Sequence, residues 1–142
     1  NEFPEGLESA RVMMTALVNE LAAECGLPIS KILLGGFSQG GMIATDVALN
    51  LPEPPAGLCV FSGTLINEEN WRTLAARRGT MPVFQSHGRQ DPILPFIAAE
   101  WLRDLLTSAS MTVDFVPFNG GHTIPREALA GSADLIARLA DD

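Results

Sequence analysis

Two cysteines, two histidines and nine basic residues are all that 142 positions offer of the residue types that build metal centres, disulfide frameworks and polyanion-binding faces. The cysteines and histidines are scattered without zinc-like spacing, and the carboxylates form no calcium-loop pattern, so no metal is expected. Cys25 falls at the end of a predicted helix and Cys59 inside a predicted buried strand. Both read as small core hydrophobes instead of a bridge, which fits a reducing, cytoplasmic compartment. The net charge of -8 and the absence of a basic stripe exclude a nucleic-acid partner, because such partners are held mainly by Lys and Arg on phosphates. No apolar run reaches about 18 residues and no basic-then-apolar leader is visible, so no transmembrane segment is expected. Repeats, low-complexity tracts and interdomain linkers are also missing. The length fits one domain, residues 1–142, with a substantial core.

What is present is an alternation of two periodicities. Pro4 to Cys25 reads as a helix with Leu7, Met14, Leu17, Val18, Leu21 and Cys25 on one stripe facing the sheet, stopped by Gly26 and Pro28. Lys31 to Gly36 reads as a strand, Gln39 to Leu51 as a helix with Met42, Ile43, Val47 and Leu51 inward, and Leu58 to Phe61 as a second strand. Glu68 to Arg78 reads as a short polar surface helix on which Trp71 packs at an edge. A third strand, Pro82 to His87, precedes a helix from Pro95 or Phe96 to Ser108, with Trp101 and Leu105 inward. Val113 to Phe118 is the fourth strand and Arg126 to Leu139 the closing helix. Strands alternating with helices predict an α/β fold, a parallel sheet covered on both faces.

Chemistry enters at the strand ends. Gly36-Phe37-Ser38-Gln39-Gly40-Gly41 follows the apolar run Ile32-Leu33-Leu34 and has the form of a nucleophile elbow, in which a serine is lifted off a strand at a sharp turn. Glycines at Gly36 and Gly40 remove side chains that would clash there. The helix beginning at Gln39 aims its N-terminus at the reaction centre, and the Gln39 amide can donate to an oxyanion. An ordinary turn between strand and helix gathers the same small residues. The elbow reading gains weight downstream, where Asp91 follows the third strand and Gly120-Gly121-His122 the fourth, giving the order Ser, Asp, His of the α/β-hydrolases. In that reading Ser38 is the nucleophile, His122 the base, since an unperturbed imidazole titrates near about 6.5, and Asp91 the acid that fixes its tautomer. His87 competes as base but ends a strand, where a hydrogen-bonding role in the turn is the expectation. Asp104 lies on a helix and Asp114 in strand alternation, positions of ordinary solvated carboxylates. Ligands of open parallel sheets bind at the carboxyl ends of the strands, where all three candidates fall.

These residues resemble those of the phospholipase/carboxylesterase family of α/β-hydrolases, whose best-known members are acyl-protein thioesterases. The elbow, Ser62-Gly63, His87-Gly88 with Asp91, and Gly121-His122 occur in the family's order across nearly the whole chain. The resemblance implies Ser38, Asp91 and His122 as catalytic residues, Gln39 as an oxyanion donor, no cofactor, and a small acyl ester or thioester as substrate. Members of the family carry further strands before the elbow, and a loop after one of them supplies a second oxyanion donor. Here that segment is missing. One donor is worth about 2.7 to 4 kcal/mol, so turnover should fall by roughly a hundred- to a thousand-fold. The elbow strand would also become a bare apolar edge. The chain begins at Asn1 directly before a helix, so the expectation is the C-terminal portion of a hydrolase, its sheet completed by an N-terminal segment, a partner chain or a homodimer.

The expected activity is that of a serine esterase acting on carboxylic esters or thioesters through an acyl-enzyme. A lysophospholipase, a peptidase-like hydrolase, and a silent fragment working as an interaction module are the alternatives. Thr64, Leu65, Ile66, Ile93 and Leu94 lie on loops after strands, where they either line an acyl pocket or pack.

Overall fold

Four short apolar runs pair edge to edge in the order in which they occur along the chain. In the computed structural model, which describes residues 5–141, β1 (Leu33–Phe37), β2 (Gly57–Phe61), β3 (Pro82–Gly88) and β4 (Thr112–Phe118) form one sheet of order β1-β2-β3-β4. Every pairing is parallel. Helix α1 (Leu7–Cys25) leads in, α2 (Gln39–Asn50), α3 (Glu68–Ala75) and α4 (Phe96–Ser108) are the crossovers, and α5 (Arg126–Ala140) closes the chain. This is the expected α/β-hydrolase-type sheet. The start of the first predicted helix, Pro4, lies outside the described residues.

Because successive strands advance in one direction, right-handed crossovers put α2, α3 and α4 on one face. There Leu58, Val60 and Val83 pack against Ala48, Leu49, Trp71, Leu102, Leu105 and Leu106. Their neighbours Cys59 and Phe84 point the other way, onto Ala128 and Leu135 of α5. A side chain at Gly131 would run into the Phe84 ring, so this glycine lets α5 lie close on the sheet. The two central strands are therefore apolar on both faces, as buried parallel strands require.

Several side chains lie elsewhere than their periodicity suggested. Trp71 is fully buried, not at an edge. Its indole Nε1–H donates to Asp46 Oδ1 at 2.8 Å, and Asp46 is itself fully buried on α2. Arg11 Nη1 of α1 donates to Asp46 Oδ2 at 3.0 Å, so one carboxylate ties three helices together. Trp101 faces solvent, because Ala99, Leu102, Leu105 and Leu106 form the inward stripe of α4 and Trp101 falls beside it. Helix α1 packs on α2 in place of the sheet. Only Leu7, Val18 and Ala22 of it are buried, leaving Met14, Leu17 and Leu21 exposed. Cys25 is exposed at its end, while Cys59 lies in the core. The helix stops where expected: Gly26 takes φ 66° and Leu27 N donates to Ala22 O. Ile29–Lys31 then forms a 3₁₀ turn, which delays β1 to Leu33. Among the described residues β1 pairs with β2 alone, so its outer edge is open.

Candidate active site

Three strand ends converge at one end of the sheet. Ser38 follows β1, Asp91 the turn after β3, and Gly120-Gly121-His122 the end of β4. Ser38 sits at φ 57° and ψ -121°, a conformation that costs an L-residue about 1–3 kcal/mol. The surroundings hold it there. Its amide donates to Phe61 O of β2 at 2.8 Å, and its carbonyl accepts from Gly41 N at 3.0 Å and Met42 N at 3.2 Å. A side chain at Gly36 would collide with the carbonyl of Gly40, so the tight turn demands glycine there. Gly40 itself has nothing within 4 Å of where a Cβ would lie, and the expected steric need at that position is not found.

The loops bearing Asp91 and His122 interlock. Arg89 N donates to Phe118 O at 2.8 Å and Gln90 N to Gly120 O at 3.0 Å. A Cβ on Gly88 would strike the carbonyls of Gly120 and Gly121, so the His122 loop lies directly on the end of β3. The His122 ring packs on Phe37 with centroids 4.9 Å apart. Its Nδ1 is 2.7 Å from Asp91 Oδ2 and its Nε2 is 2.9 Å from Ser38 Oγ, one unbroken hydrogen-bonded chain. Asp91 has a fully buried side chain. Burial pushes its carboxyl up, but donors from Leu94 N, His122 and Ile93 N together hold it below the ordinary carboxylate value. Such an arrangement can move a proton from a hydroxyl to an imidazole whose tautomer is fixed from behind.

Over residues 2–139 the chain matches the family model for Phospholipase/Carboxylesterase. The chain belongs to the phospholipase/carboxylesterase family. Acyl-protein thioesterase 1 of Eremothecium gossypii is 34% identical over 104 residues, 73% of this chain and 44% of that protein. Acyl-protein thioesterase 1 of Neurospora crassa is 27% identical over 140 residues, 96% of this chain and 57% of that one. This family member thus spans about half the length of the curated relatives it matches. Among solved structures, esterase PE8 aligns with a TM-score of 0.87 at 30% identity, over 94% of this chain and 62% of that chain. Arabidopsis thaliana SOBER1 aligns with a TM-score of 0.83 at 24% identity, over 99% and 68%, and shares the fold.

In this phospholipase/carboxylesterase-family chain the remaining predicted site residues separate. Gln39 opens α2 beside Ser38, where a helix leaves its first amides without internal acceptors. Ile66 shares a cleft of about 320 Å³ with Gln39, Met42, Ile43 and Leu7. Thr64 is buried, and Leu65 packs against the helical core with its amide on Ala98 O. Ile93 is largely exposed, and Ile93 N and Leu94 N donate to Asp91 Oδ1 at 2.8 and 2.9 Å. Asp104 and Asp114 are exposed, and neither is hydrogen-bonded to His122. Among the described residues no group of three His, Cys, Asp or Glu side chains is placed to hold a metal ion, and no helix is long and apolar enough to cross a membrane.

Two residues that the sequence offers only through the family's order prove to shape the site. Ser62 directly follows β2 at φ 56°, and its hydroxyl donates to Thr123 O at 3.2 Å, bracing the loop of His122. Gly88 permits the close approach just described. A Ser-Gly pair directly after an apolar strand, and a glycine three residues before a loop carboxylate, are the signals that point to them.

Proposed function

We propose that this chain carries the catalytic residues of a serine esterase. Ser38 Oγ attacks the acyl carbonyl as His122 Nε2 takes its proton. The tetrahedral oxyanion receives the Gln39 amide, backed by the N-terminus of α2. The carbon–oxygen or carbon–sulfur bond then breaks, His122 hands the proton to the departing alcohol or thiol, and Ser38 is left acylated. Water attacks that ester with His122 again as base, releasing the acid and restoring Ser38. Asp91 keeps the Nδ1 proton in place throughout. The observation that carries this reading is the hydrogen-bonded chain Ser38–His122–Asp91, reaching from three separate strand ends.

Acyl esters or thioesters are the proposed substrates, in keeping with relatives named acyl-protein thioesterase and esterase. A cytoplasmic setting is proposed with them, supported by two free cysteines. The open edge of β1 is proposed to pair with a further strand from an N-terminal segment, a partner chain or a second copy. Supporting this, an apolar cleft of about 210 Å³ lined by Met14, Val18, Leu34, Ile43 and Val47 runs beside that edge. Light scattering of the active species tests it, and an active monomer of these 142 residues would remove a required strand from elsewhere.

The catalytic reading is tested by intact mass after exposure to a fluorophosphonate, with Ser38→Ala as control. One adduct that disappears in the variant is expected. A folded chain that takes no adduct would turn the reading to a silent module.

A further inference from the structure

His87, at the end of β3, is fully buried and takes no part in the acyl-transfer sequence above. Its Nε2 lies 2.8 Å from Leu94 O and 3.3 Å from Asp91 Oδ2, and both side chains of the latter pair are without solvent exposure. A carbonyl oxygen can only accept, so the proton of this ring sits on Nε2. Nδ1 is buried with no partner among the described residues. The N–H is thus wedged between the turn carbonyl and the same carboxylate oxygen that receives His122 Nδ1 at 2.7 Å. The turn closes on itself: Asp91 Oδ1 takes Leu94 N, and Leu94 O takes the ring that touches Asp91 Oδ2.

We propose that His87 is a positioning residue for the proposed acid, its Nε2–H fixing the Asp91 carboxylate and drawing negative charge away from the oxygen that faces His122. This rests on the assignment of Asp91 and His122 to the acyl-transfer site. The His87 donor, given to Leu94 O at 2.8 Å, lies 3.3 Å from Asp91 Oδ2, and its N–H dipole weakens the attraction that the carboxylate exerts on a protonated His122. Removing that donor leaves the imidazolium better stabilised and the free base scarcer at a given pH. Asp91 is the ionisable group within hydrogen-bond distance of both rings. On the elements packed against β3, Arg103 and Glu100 of α4 are 3.7 Å apart, Asp114 of β4 is exposed, and Arg126 and Glu127 at the start of α5 are exposed. Arg89 on the acid loop is exposed and donates to Asn119.

The chain has two histidines, so ring ¹H–¹⁵N spectra report each one without overlap. In the parent protein the His87 proton is expected on Nε2 throughout the titration of His122, and a proton on Nδ1 overturns the proposal. Gln places an amide nitrogen near the position of Nε2, whereas Asn places one near Nδ1 and Leu places none. His87→Asn and His87→Leu are expected to raise the His122 midpoint and, on the acid side of it, to lower kcat for a p-nitrophenyl ester a few-fold with KM little changed. His87→Gln is expected to stay at the parent midpoint. A displaced midpoint in folded His87→Gln, or parent-like midpoints in Asn and Leu, refutes the role of His87. A chain in which the midpoints move as stated but no Ser38-dependent hydrolysis occurs refutes the esterase reading alone.

Discussion

Ser38 Oγ and His122 Nε2 stand 2.9 Å apart although 84 positions of chain separate them. That distance is set by backbone held in an unfavourable state at the serine, φ 57°, between a β2 carbonyl and the first turn of α2. The proposed nucleophile is thus also the strained residue. Ser38→Gly is therefore expected to be more stable than Ser38→Ala by about 1 kcal/mol in urea unfolding, since glycine tolerates the conformation and alanine does not. Both variants should be inert toward esters. Equal stabilities would mean that the turn carries no strain.

Gly88 is where the loops of Asp91 and His122 touch. Gly88→Ala would drive a methyl group into the carbonyls of Gly120 and Gly121 and lift His122 away from Asp91. A displacement of about 1 Å costs on the order of a hundred-fold in rate, so fluorophosphonate labelling of Ser38 should slow by that factor while the circular dichroism spectrum is kept. Unchanged labelling would show that the loop absorbs the methyl group elsewhere.

Asp46 holds Arg11 and Trp71 from a fully buried position. Asp46→Ala should cost about 3 kcal/mol in urea unfolding, because the indole N–H loses its acceptor in a dry interior. Trp71→Phe should cost less, about 1 to 2 kcal/mol. A loss below 1 kcal/mol for Asp46→Ala would mean that water reaches this carboxylate.

Burial pushes the Cys59 thiol up to about 11, well above its ordinary value. The unfolded thiol ionises first, so stability is complete below about pH 9 and declines toward pH 11, by about 2 to 3 kcal/mol. Tyrosine is absent and Lys31 is the sole lysine. Cys59→Ala should flatten the alkaline fall of Tm. A fall that persists unchanged in the variant would assign it to another group.

For Asp91 the sign is opposite. Its folded carboxyl is held below the ordinary value by Leu94 N, His122 and Ile93 N despite burial. The stability it contributes is complete above about pH 4 and is lost as pH falls through the lower folded value. Asp91→Asn should therefore weaken the acid-induced fall in Tm. An identical acid transition in parent and variant would show that the carboxylate is no better held in the fold than in the open chain.

The strands and the order Ser, Asp, His were legible because each depends on local pattern: an apolar run, then a turn rich in glycine. Which neighbour a helix meets is not local. Trp71 sits on a helix whose composition is polar, yet three helices crowd one face of the sheet and bury that single aromatic against Asp46. Trp101 shows the reverse, since its i, i+4 spacing to Leu105 holds but the contact stripe passes through Leu102 and Leu106. The stripe predicted for α1 has four of its six residues, Met14, Leu17, Leu21 and Cys25, exposed, because α1 rests on α2 and not on the sheet. The hydrogen-bonding role of His87 in the turn was legible and is met by the Leu94 carbonyl, whereas its approach to Asp91 was not, because spacing describes only a strand end and a turn.

The sequential strand order also sets a timetable. Each new strand joins the edge left by the one before it, so the sheet can grow in the direction of synthesis. Ser38 and its turn are complete once β2 has docked, whereas His122 comes only with the loop after the last strand. A chain that folds in this order therefore makes the Ser38–His122 contact at a single late step, when β4 closes against β3.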